Sequence, residues 1–111
     1  MSYDLIQSIQ QKNDELTVAI RQLRVSGTAY AEAEKNYKIK LREECLRLRD
    51  EGMAIGMIDK VCHGIPSVAE LRFKRDVAEA VYKANQESIN STKLQIRILD
   101  NQLSREWSAN D

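Results

Sequence analysis

Apolar residues recur three or four positions apart over most of this chain. Between residues 6 and 48 the series runs Ile6, Ile9, Asn13, Leu16, Ile20, Leu23, Gly27, Tyr30, Glu34, Tyr37, Leu41, Glu44 and Leu48. Nine of the thirteen are apolar side chains, which is the period of a helix face and not the alternation of a strand. Cys45 stands beside Glu44 and takes over its apolar role. A second long series runs Val68, Leu71, Arg75, Ala78, Tyr82, Asn85, Ile89, Thr92, Ile96, Leu99, Leu103 and Glu106. Eight of these twelve are apolar, and no Gly or Pro interrupts them, so a second long helix is expected. Ser2 or Asp4 suits the start of the first helix, Gly52 its C-terminal stop, and Pro66 the first turn of the last. Between the stops, Ile55, Ile58 and Val61 share a helical spacing, and Gly64 ends the run.

The prediction is a single all-α domain over residues 1–111, with helices about 3–51, 54–63 and 66–108. It is expected to form a long antiparallel hairpin with a short helical elbow, each long arm on the order of 60–75 Å. Laid level, the arms bring Leu48 to Leu71, Tyr37 to Tyr82, and Gly27 to Ser91 and Thr92. Gly27 then marks either a close approach of small residues or a break in the first helix, since an interior Gly costs roughly 0.5–1 kcal/mol. Tyr30, Tyr37 and Tyr82 are expected in the seam. Trp107 either covers Ile6 and Ile9 or anchors a partner.

Two arms form one seam, yet each helix carries further apolar residues. Ile39 and Leu46 in the first, and Phe73, Val77, Val81, Leu94 and Ile98 in the last, are the expected oligomer interface. A homo-oligomer, in the simplest case a dimer closing a helical bundle, would cover them.

Composition narrows the class further. One Pro and four Gly in 111 residues leave little room for the turns of a sandwich, barrel or βαβ array. Seventeen basic and seventeen acidic residues balance, which argues against a uniformly basic nucleic-acid binder. The basic residues are unevenly placed: residues 35–49 hold six against Glu43 and Glu44, and residues 60–75 hold four against Glu70. Lys38, Arg42, Arg72 and Arg75 are therefore the candidate phosphate contacts of a nucleic-acid accessory protein. The other reading of these charges is a solvated surface with pairs such as Glu34–Lys38, Glu43–Arg47 and Glu79–Lys83. No signal peptide and no transmembrane span are expected, and two cysteines, Cys45 and Cys62, suit a reducing cytoplasm.

Candidate chemistry is sparse. Cys45, Cys62 and His63 lack the paired-cysteine spacing of a structural zinc site, so no metal and no cofactor are expected. As helix neighbours, Cys62 and His63 are expected to point about 100° apart, which does not make a nucleophile and base. No phosphate loop, nucleophile elbow or H-E-x-x-H is present, and no enzyme activity is expected. The elbow superficially has the outline of a helix-turn-helix, but Ser67-Val68-Ala69-Glu70 offers no base-reading side chain. Arg49, Met53, Met57, Lys60, His63 and Arg72 at the elbow are the candidate partner contacts, Met being adaptable at binding surfaces.

The stretches TAYAEAEKNYKIKL, LRDEGMAIGMIDKVCHG and VAELRFKRDVAEAVYKANQESINSTKLQIRILDNQLSREW together resemble a group of small helical proteins from phages and prophages of Gram-positive bacteria. The resemblance covers most of residues 28–107. It rests on Tyr30-Ala31-Glu32-Ala33-Glu34 with Tyr37, on Gly52 and Gly64, and on Leu71 to Tyr82. It implies a viral origin and a host-cytoplasm setting, and it carries over no catalytic residue. The expectation is a non-catalytic accessory protein that self-associates and engages a host or phage protein. The alternatives are nucleic-acid binding by the basic half, and an oligomer that sequesters a small nucleotide-like ligand.

Overall fold

The computed structural model describes residues 2–110; Met1 and Asp111, the ends of the expected domain, lie outside the described residues. The described residues form three helices and no strand: α1 (Ser2–Asp50), α2 (Ile55–Cys62) and α3 (Pro66–Asn110). Helix α1 passes through Gly27 unbroken. It stops at Gly52, whose φ of 88° is open to glycine at little cost. There the Met53 N–H donates to the Leu48 carbonyl at 3.1 Å and the Gly52 N–H to the Arg49 carbonyl at 3.0 Å. These two bonds define a Schellman stop, and Met53 packs against the buried cluster that contains Leu48. The Ile65 carbonyl starts α3 by accepting from the Val68 and Ala69 N–H groups.

The chain divides into two compact units. One is Ser26–Tyr82, and the other joins Met1–Val25 with Lys83–Asp111. In the Ser26–Tyr82 unit, α2 lies against the end of α1. Leu48, Ile58 and Cys62 form its buried cluster, with Leu41, Cys45, Met53, Val61 and Ile65 packed around them. The buried face of α2 is therefore Ile58–Cys62. Ile55, expected on the same face, is instead 78% exposed.

In the same unit α3 runs antiparallel to α1, but not in the level register expected from the sequence. The Tyr82 ring lies on Gly27 and not on Tyr37. The Tyr30 hydroxyl donates to Glu79 at 3.0 Å, and the Arg75 guanidinium stacks 4.7 Å from the Tyr37 ring centre. Leu48 meets Ile58 and Cys62 rather than serving as the partner of Leu71. The reason is the elbow. Helix α2 folds back over the last turns of α1, so the opposite strip of α3 begins its pairing farther from the elbow along α1.

The second unit is also antiparallel: Ser2 Oγ donates to Glu106 Oε2 at 3.0 Å, and Asn85 Nδ2 donates to the Gln22 carbonyl at 3.3 Å. Ile89 and Thr92 are buried there, and the Thr92 hydroxyl donates to the Ser88 carbonyl. Trp107 stays 57% exposed; of the two residues expected beneath it, Ile6 is exposed and Ile9 half-buried.

Candidate functional site at the elbow

The last turn of α2 gathers the only histidine with a cysteine and an aspartate. Asp59, Cys62 and His63 stand at i, i+3 and i+4, which places them on adjoining surfaces of one helical turn. His63 is the residue that caps α2, with φ −68° and ψ −22°. Its Nδ1 lies 2.9 Å from the Asp59 carbonyl, 3.7 Å from Cys62 Sγ and 3.9 Å from Asp59 Oδ1. A carbonyl only accepts, so the Nδ1–H tautomer donates to it. The expected divergence of Cys62 and His63 is thus corrected: the imidazole turns back along the helix towards Asp59 and comes to rest beside the thiol.

Cys62 is fully buried. Burial first, then the neighbouring Cys45 thiol and the Asp59 charge, push its pKa up to about 11. At neutral pH it is a thiol, so the pair lacks the activated thiolate of a cysteine nucleophile. Cys45 and Asp59 also share a groove of about 320 Å³ between α1 and α2, rimmed by Leu46, Arg49, Ile55 and Ile58. Both cysteines are free.

The other candidate partner contacts divide in two. Arg49, Met57, Lys60 and Arg72 are exposed around the elbow. Met53 is drawn into the α1 stop and is half-buried.

The candidate phosphate contacts divide as well. Lys38 and Arg42 are exposed, Lys38 with an ion pair to Glu34 at 3.5 Å. Arg75 is turned inward and only 19% of its side chain is exposed, so it is not placed to meet a phosphate. Its Nε donates to Asp76 at 2.8 Å and its Nη1 to Glu34 at 3.5 Å, while its carbon face covers Tyr37. Burial opposes its charge, but Asp76 and Glu34 outweigh burial and raise its pKa.

Neighbouring charges are also satisfied locally. Arg47 pairs with Glu44 and Glu51, at 2.7 and 2.8 Å, instead of the expected Glu43. Lys40 reaches Glu44 at 3.5 Å. The Arg47 hydrogen bond is the main cause that holds the Glu44 carboxyl below its usual range.

The seven expected interface residues, Ile39, Leu46, Phe73, Val77, Val81, Leu94 and Ile98, are all exposed. Phe73 and Val77 sit two residues either side of Arg75, which faces α1; two residues are about 200° around a helix. Both side chains therefore look away from the seam. Ile39 bears the same relation to the buried Tyr37.

Asp59 is the residue that sequence reasoning missed, being one acidic residue among seventeen. The signal that finds it is the i, i+3, i+4 spacing of Asp-x-x-Cys-His on a helix. The described residues define an all-helical protein. No protein-family model, no characterised protein and no solved structure matches the chain.

Proposed function

We propose that this chain is a non-catalytic interaction protein: a long antiparallel helical hairpin that self-associates into a bundle and, in the setting its resemblance implies, engages a host or phage protein from the cytoplasm. The observation that carries the reading is the apolar surface turned away from the seam. Phe73 is 62% exposed, Ile39 51% and Val77 46%. Side chains of this size in a row seek a partner surface, and a second copy supplies an equal one. The elbow residues Arg49, Met57, Lys60 and Arg72 remain for the heterologous partner. The nucleic-acid reading draws less support, because Lys38, Lys40, Arg47 and Arg75 have carboxylate partners within the chain. No helix among the described residues is long and apolar enough to cross a membrane.

Sedimentation equilibrium tests the reading. The wild-type chain is expected as a dimer or higher oligomer at micromolar concentration, and Phe73→Glu combined with Val77→Lys as a monomer with unchanged helical circular dichroism. A wild-type chain that sediments as a monomer throughout the accessible concentration range defeats the proposal.

A further inference from the structure

The geometry points to a metal site at the elbow: Asp59, Cys62 and His63 of α2, with Cys45 of α1 as fourth ligand, form a set for one borderline-soft divalent cation of the zinc class. Oxygen, nitrogen and sulfur donors converge here from a single helical turn. One ligand atom from each of Asp59, Cys62 and His63 lies within 4.8 Å of the other two. Two of the separations are 3.7 Å, from Cys62 Sγ to His63 Nδ1, and 3.9 Å, from His63 Nδ1 to Asp59 Oδ1. In a tetrahedral zinc site with bonds of about 2.0–2.3 Å, ligand atoms stand roughly 3.3–3.8 Å apart. These two separations need only a small contraction around an ion, and the third, from Asp59 to Cys62, is within 4.8 Å.

The fourth donor is the Cys45 thiol of α1, which stands outside the 4.8 Å group of the other three and swings in when the ion binds. Cys45 packs against the cluster that holds Cys62 and lines the same groove as Asp59. This donor comes from a different helix, so an ion held by the set ties α2 to the last turns of α1.

Binding balances as follows. The Cys62 and Cys45 thiols each release a proton to solvent as a sulfur–metal bond forms. The His63 proton moves from Nδ1 to Nε2, which frees the Nδ1 lone pair and breaks the bond to the Asp59 carbonyl. Two thiolates and one carboxylate then bring three negative charges to a doubly charged ion. Arg49, exposed on the groove rim, meets the remaining negative charge. A thiolate-rich, histidine-containing set favours zinc over magnesium or calcium, which prefer oxygen ligands.

The test uses the full chain, reduced and metal-free, titrated with Co2+ as the spectroscopic probe. The expected result is saturation at one cobalt per chain, thiolate-to-cobalt absorption in the near ultraviolet, the visible bands of tetrahedral cobalt, and displacement by Zn2+. Asp59 and His63 are partly or fully open to solvent, so Asp59→Asn and His63→Ala are expected to fold. Each should weaken cobalt binding tenfold or more. Cys45→Ser should lose about half of the near-ultraviolet band, one thiolate of two being removed. Three results overturn the site: no thiolate band with cobalt in tenfold excess, unchanged affinity in His63→Ala, or an undiminished band in Cys45→Ser. The oligomeric state is read separately by sedimentation, so failure of either proposal leaves the other standing.

Discussion

The ring of Tyr82 lies directly against the backbone of Gly27: a methyl group on Gly27 would stand 3.2 Å from Tyr82 Cε1. A ring can approach a helix this closely only where no side chain intervenes. Tyr82 is itself held by Tyr30, whose ring centre is 5.9 Å away at a tilt of 36°. The interior glycine of α1 is thus explained by a close approach, with an aromatic ring and not with Ser91 or Thr92.

This contact sets the outcome at position 27. Gly27→Ala removes a helix penalty of roughly 0.5–1 kcal/mol but displaces the ring by a few tenths of an ångström. Its midpoint in urea should stay close to wild type. Gly27→Leu has no room and should cost about 1–3 kcal/mol. A Gly27→Leu chain with the wild-type midpoint would show that the ring does not rest there.

Arg75 joins two carboxylates and an aromatic ring with one planar group. Arg75→Ala should destabilise the chain by about 1–2 kcal/mol, through lost packing on Tyr37 and lost hydrogen bonds. Arg75→Lys keeps the charge but not the flat stacked geometry, and should recover less than half of that loss. Full recovery by lysine, measured by chemical denaturation, would reduce the role of Arg75 to its charge.

The phenol of Tyr30 ionises late. Its hydrogen bond to Glu79 is the main cause, with burial second, and both hold its pKa above the usual tyrosine value. Because the folded-state pKa is raised, this stabilisation is complete below the ordinary tyrosine range and disappears as pH climbs through the raised value. Ultraviolet titration should find a phenol that ionises above the ordinary tyrosine range, and Glu79→Gln should bring it back towards that range.

Gly52 holds the α1 stop at a φ that an L side chain resists. Gly52→Ala should cost about 1 kcal/mol, and Gly52→Asn less, since asparagine tolerates this region better. Equal thermal midpoints for Gly52→Ala and wild type would mean the stop relaxes into another turn.

The helical class, the stop at Gly52, the start at Pro66, and the tyrosines of the seam are legible in residue order, because each depends on a helix face or on one residue's backbone preference. Of the elbow chemistry, Cys62 and His63 stand out as rare residue types. Asp59 does not, because an aspartate among many charged residues carries no mark until the helical turn places it beside them.

Local chemistry therefore determined where helices begin, where they stop and which face of each long helix is apolar. Tertiary structure alone decided the register, and with it the neighbour of every seam residue. The cause lies in the short helix: Ile58 and Cys62 bury themselves on Leu48, which gives the last turns of α1 to α2 and shifts where α3 pairs. That offset is a property of how three surfaces pack together, and no single stretch of the chain encodes it.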